Sequence, residues 1–169
     1  MGSASLAFVL LLLIAVLFGV FLYFTGRSMD KSTKEAKDHV IALGLIPIEM
    51  ERDVPYFYTR YGKPKIRREM DTGYCLQHKS PKTGRWSFLQ RQIRKGAEYP
   101  NGWTLDVKGG TVPDGLRRVL HTIAHEWEDE YLEFEFYPEK VCAFWREWGG
   151  VEVAQRIYHY LREISEAAE

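Results

Sequence analysis

The chain has 169 residues, 23 Lys+Arg against 23 Asp+Glu and a hydrophobic content of 46%, so its formal net charge is zero. The apolar residues are unevenly spread: 18 of the 19 positions in 6–24 are apolar, with Gly19 the exception. This distribution excludes a polytopic membrane protein, a disordered chain and a collagen, and two cysteines exclude a disulfide-dense scaffold.

In a helix, residues 6–24 rise about 28 Å, close to the thickness of a bilayer core. No charge interrupts the run, and Phe21, Tyr23 and Phe24 cluster at its end, as aromatic rings do at a membrane interface. No Lys or Arg precedes it, and it is too long for a signal peptide, so the expectation is an uncleaved anchor. The spacing divides the chain into a tail at 1–5, a transmembrane helix at 6–25, a juxtamembrane stalk at 26–47 and a soluble domain at 48–169. Arg27, Lys31, Lys34 and Lys37 follow the anchor, whereas the tail carries only its amine. The positive-inside bias then predicts an outside N-terminus and a cytoplasmic domain. Cys75 and Cys142 lie far apart in apolar runs, which predicts buried free thiols rather than a disulfide.

Along the domain, residues 31–43 read as a short helix with Ser32 as its cap and Gly44 as its stop. Residues 45–48, with Pro47, read as a docking segment, and 54–61 as an aromatic strand. Residues 62–71 are basic and irregular. A hairpin is expected between 73–78 and 85–93 across the turn chemistry of 80–84, followed by a strand at 103–107. Leu116, Leu120, Ile123, Ala124 and Trp127 form a helical stripe, and Ala154, Ile157, Tyr158, Leu161 and Ile164 form another. Between them, Leu132, Phe134 and Phe136 alternate with Glu133 and Glu135, and 141–148 returns as the second arm of a hairpin. The order β-α-β-β-α after a hairpin predicts an α+β domain, with two amphipathic helices on one face of a mostly antiparallel sheet. A split β-α-β arrangement fits it.

Charge is sorted along the chain. Residues 48–110 hold 13 Lys/Arg against 7 Asp/Glu, and residues 111–169 hold 6 against 13. Arg60, Lys63, Lys65, Arg67, Arg68, Arg91, Arg94 and Lys95 are the candidate anion-binding residues. A basic face there would attract anionic headgroups or nucleic acid, although no RNA-binding signature accompanies it. His121 and His125 stand four apart on one helix, a spacing that can hold a metal. Thr122 occupies the place of a metalloprotease base, and the pair falls away from the apolar stripe, so solvated histidines and no metal or other cofactor are expected. Glu133 and Glu135 should line a solvated strand face. Phe144 and Trp148 alternate with Trp145, so one side of that strand either exposes aromatics to a partner or is covered by a second layer from 54–61 or the stalk.

No nucleophile elbow, P-loop or dinucleotide fingerprint occurs in the chain. The sequence leads to a single-pass, non-catalytic accessory or scaffold module, a subunit of a membrane complex contacting the bilayer and a protein partner through Phe144, Trp145 and Trp148. The alternatives are anionic-lipid or nucleic-acid binding through 60–95, and a metal enzyme using His121 and His125.

Overall fold

The computed structural model describes residues 3–57, 65–90, 98–127, 131–145 and 149–168, and gives no side chains for 3–12, 21–30, 54–57 and 65–66 within them. The elements are α1 (Ser3–Ala42), β1 (Ile46–Phe57), β2 (Lys65–Gln77), β3 (Arg85–Gln90), β4 (Trp103–Gly109), α2 (Asp114–Glu126), β5 (Leu132–Phe136), β6 (Lys140–Trp145) and α3 (Gly150–Ala167), with a 3-10 turn at Pro100–Gly102. The six strands form one sheet in the order β1-β2-β6-β5-β3-β4, and every neighbouring pair is antiparallel. This is the expected α+β class. Because β3 lies antiparallel to both β4 and β5, those two run parallel to each other with β3 between them, so β4-α2-β5 is a split β-α-β unit.

The helices lie on one face of the sheet, where the main core forms. Tyr74, Trp86, Phe88, Trp103, Leu132, Phe134, Phe136, Val141, Ala143 and Trp145 point to that side. They meet the stripes of α2 (Leu116, Leu120, Ile123, Ala124) and α3 (Ala154, Ile157, Leu161, Ile164), all fully buried. Tyr160, rather than Tyr158, completes the α3 face. Trp86 stacks on Phe136 at 4.8 Å, and Phe88 on Trp103 at 4.6 Å. The turn between β3 and β4 holds Asn101 at φ 53, and its side-chain amide donates to the Ala124 carbonyl at 2.9 Å, tying the end of α2 to the sheet. Sidedness follows from pairing register, since successive strand residues alternate faces.

Several expectations are corrected. Residues 31–42 are helical and continue α1 without a break, so the expected cap at Ser32 caps nothing. Ala36 and Val40 are fully buried, and this end of α1 packs against α3, making a third helix over the sheet. Gly44 does end the helix, at φ +91. Residues 46–57 form a strand with a register shift between Pro55 and Phe57, and 65–71 belong to β2 rather than to an irregular loop. Residues 73–78 and the described part of 85–93, namely 85–90, form no hairpin, because β2 pairs with β1 and β6 while β3 pairs with β4 and β5. The β5–β6 hairpin is present as expected.

Cys75 and Cys142 are disulfide-bonded, not free thiols. Their sequence separation of 67 hides the fact that β2 and β6 are neighbours with these two residues directly opposite, Cα to Cα 4.0 Å.

The two longest strands, β1 and β2, extend beyond the sheet body. β2 pairs with β6 only over Gly73–Gln77, while its earlier residues pair with β1 alone. Gly73 stands at the root of this arm, and a Cβ there would overlap ring carbons of Phe144 on β6. Adding even one methyl group to a filled core forces displacement. Gly73→Ala is therefore expected to lower stability by about 1–3 kcal/mol in urea titration. Gly109→Ala, where a Cβ meets nothing within 4 Å, should stay within about 0.5 kcal/mol.

Candidate functional site

The outer face of the sheet, away from the helices, carries Cys75, Cys142, Phe144, Glu133, Glu135 and Ser87. A strand face of this kind would ordinarily be solvated. Here Phe144 and Cys142 are fully buried, Glu133 is 8% exposed and Ser87 is 3% exposed. The cover comes from the β1–β2 arm. Arg52 on β1 contacts Glu133 on β5 at 2.6 Å and Glu135 at 3.2 Å, although β2 and β6 lie between those strands. On a flat sheet Arg52 would lie three strands across and four residues along from Glu133, a gap of about 20 Å and beyond the combined reach of the two side chains. The arm must curl over the outer face to close it. Ile48 and Met50 come with it and pack against Phe144 and the disulfide.

Arg52 is the centre of this cluster. Its guanidinium lies 3.7 Å from the centroid of the Phe144 ring and 3.5 Å from Asp71. Tyr131 donates its hydroxyl to Glu133 at 2.9 Å, and Tyr137 donates to Glu135. Burial alone would lower the Arg52 pKa, but the negative charge of Glu133, Glu135 and Asp71, with Tyr131 beside them, outweighs it and the guanidinium is held more firmly protonated. Burial pushes the Glu133 carboxyl upward, with Arg52 and Tyr131 opposing. Burial and the Glu135 hydrogen bond push the Tyr137 hydroxyl up to about 12. Every charged partner in this set faces another protein group. That suits a clasp holding the arm down rather than an open binding pocket.

A second polar contact sits at the other end of β2. His78 Nδ1 accepts from the Ser165 hydroxyl at 2.8 Å, and its Nε2–H donates to the Tyr137 carbonyl at 3.1 Å. The pair has the spacing of a base and a nucleophile, but Ser165 lies in the last turn of α3, where the helix presents carbonyls and negative potential. An oxyanion would be disfavoured there. The contact is a tether between α3 and the sheet.

Of the predicted partner aromatics, Phe144 faces outward but is sealed by the arm, and Trp145 is buried against the helices and Tyr74 at 4.9 Å. Trp148 lies outside the described residues. Neither described aromatic is an exposed docking group, because a second layer covers Phe144. Arg67 and Arg68 are exposed, but each stands near a carboxylate, Glu69 at 3.6 Å and Glu51 at 3.3 Å. Lys65 lies at the start of β2. Arg60, Lys63, Arg91, Arg94 and Lys95 lie outside the described residues. His121 and His125 are exposed on α2, and no group of three or more potential metal ligands occurs among the described residues. Glu133 is buried and Glu135 half-buried, rather than both being solvated. Sequence reasoning missed Arg52 altogether, since nothing in the local pattern 49–53 distinguishes it from a surface charge.

The apolar half of α1 is the other unusual surface. Among the described residues, no helix is long and apolar enough to cross a membrane. The described side chains in that half are 13–20, and all are exposed, with Leu17 and Phe18 at 60%. No family matches the chain, and no curated protein does. One solved structure is similar: the crystal structure of the mycobacterial trehalose monomycolate transport factor A, at 10% identity and a TM-score of 0.48, covering 80% of this chain and 93% of that one. A likeness so remote carries no argument.

Breaking a buried ion pair from one side strands its partners. Arg52→Met should cost about 3–5 kcal/mol in chemical denaturation, and adding Glu133→Gln to that variant should recover part of the loss. His78 supplies a pH signature. Burial holds its pKa below 6.5, with nearby Lys82 acting in the same direction and the Tyr137 carbonyl and Glu139 opposing. The unfolded chain therefore takes the proton more readily, so stability is full above about pH 6.5 and falls as pH drops below it. His78→Gln should flatten the loss of urea midpoint between pH 7 and pH 5.

Proposed function

We propose that the chain is a single-pass, membrane-anchored accessory domain without catalysis of its own, and that the anchor is the apolar run at 6–24. The observation that carries the reading is the exposure of Leu13, Ile14, Val16, Leu17, Phe18 and Val20. Eight successive helical positions sweep the whole circumference, so no side of this stretch is buried against the protein. Moving six such side chains from water to hydrocarbon is worth on the order of 10 kcal/mol. A bilayer supplies that environment on every side at once, which a single protein groove does not.

The same helix enters the domain core at Ala36, twelve residues beyond the run at 6–24. At 1.5 Å per residue this core contact lies about 18 Å from the end of the anchor. Restriction to a plane at a fixed height raises effective concentration toward other membrane components, so a modest contact suffices for partnership. The absence of the usual catalytic motifs from the sequence and the self-satisfied Arg52 and His78 contacts support a non-catalytic role. The basic region is not favoured as the working face, because Arg67 and Arg68 already stand beside acids.

The test is extraction of the full chain from native membranes. It should stay with the membrane through high salt and alkaline carbonate and leave only with detergent, while deletion of 6–24 should release a folded domain. Release of the intact chain by carbonate would overturn the anchor.

A further inference from the structure

We infer that the domain folds on the oxidising side of the membrane, opposite to the side that the basic flank by itself predicts, and that Cys75–Cys142 is a permanent bond there. The sidedness rests on the anchor reading above, whereas the chemistry of the bond does not.

The two cysteines are placed by strand register. Cys75 of β2 and Cys142 of β6 are directly opposite in an antiparallel pair, at the junction between the β1–β2 arm and the sheet body. The bond closes a loop containing β3, β4, α2 and β5, so it links the ends of most of the domain. It sits under the clasp. Cys75 is 1% exposed and Cys142 0%, enclosed with Phe144 by Ile48, Met50 and Tyr137.

That burial separates two roles a disulfide can have. A regulatory disulfide needs a sulfur that an external thiolate can attack. Neither sulfur here is reachable in the folded domain, so the bond is made during folding and then kept. Making it removes two protons and two electrons from the two thiols. A thiol–disulfide exchange oxidant of the compartment takes the electrons and is itself reduced to a dithiol. Cytosolic glutathione and thioredoxin systems work in the other direction and keep thiols reduced.

The opposing signal is the flank of Arg27, Lys31, Lys34 and Lys37. It biases insertion statistically and forms no bond that fixes the side. The disulfide is a chemical consequence of the compartment in which the domain folds, and it outweighs a statistical bias in insertion.

The experiment uses the full chain in its native host. Cells are quenched in acid, denatured and treated with maleimide-polyethylene glycol, with and without prior reduction. In parallel, protease is added to sealed right-side-out vesicles. The inference expects no adduct without reductant, two adducts after reduction, and digestion of the domain in unopened vesicles. Two adducts without reductant would overturn it, as would an oxidised domain that is digested only when vesicles are opened. Carbonate release of a chain that still shows no adduct before reduction would sink the anchor alone and support the oxidising compartment. The Cys75→Ser/Cys142→Ser variant, which should give no adducts in any condition, assigns the shift to these residues.

Discussion

The structure depends on one largely enclosed cation. Arg52 is carried over the outer face of the sheet by a curled strand pair and set down on the Phe144 ring, with Glu133, Glu135 and Asp71 around it. Taking carboxylates out of water is costly, and the attraction to one guanidinium offsets this only when the remaining lone pairs are also met. Tyr131 and Tyr137 meet them. The apolar side of the arginine plane rests on an aromatic face, a use of guanidinium that an ammonium group does not reproduce. Without that charge the outer face would hold an uncompensated acidic pair beside a disulfide and a phenyl ring, and the arm would have an electrostatic reason to lift.

The glycine at the root of the arm is part of the same arrangement. Phe144 occupies the space over Gly73 that a side chain would fill, which lets the ring lie close to β2 while Arg52 also lies against it. The phenyl ring is thus packed against both backbone and guanidinium. The sheet gains a second, small core at Cys75, Cys142 and Phe144, separate from the large one beneath the helices. Two-sided burial explains how a strand reading Glu-Phe-Glu-Phe can carry acidic residues without presenting them to solvent. Alternation still sorts the side chains by face, but it does not say what lies over each face.

That distinction accounts for what was legible. The two stripes of α2 and α3 were readable because a period near 3.6 with large apolar residues has one economical solution, burial against a layer. The β5–β6 hairpin was readable because its arms are adjacent in sequence and one of them alternates cleanly. Strand partners were not. Residues 73–78 and 85–93 look like neighbours because a turn separates them, yet β2 crosses to β6, more than sixty positions away, and β3 takes β4 and β5 instead. Local pattern carries face, whereas pairing at long range is settled by the packing of the whole sheet. The cysteine pairing was lost for the same reason, and Arg52 was lost because its partners lie on a strand that only the curl brings near. His121 and His125 were readable as solvated, since their angle from the apolar stripe was enough to place them.

One helix then has to satisfy two environments. From Ala36 onward α1 obeys the rules of a globular core, with small and β-branched residues inserted against α3. Across 13–20 it obeys none of them, being apolar on every side. A helix that is hydrophobic all round needs an apolar solvent or a surrounding bundle, and the described domain wraps only the other end. The length between the two regimes is polar in sequence, with Lys31 and Glu35 paired at 3.7 Å and Ser32 already half-buried beside Gly150 at the start of α3. The transition from one regime to the other occurs within a single unbroken hydrogen-bonded rod. Any tilt of the apolar end of α1 would therefore be transmitted to the domain as a change of orientation, which a flexible linker would absorb and a continuous helix does not.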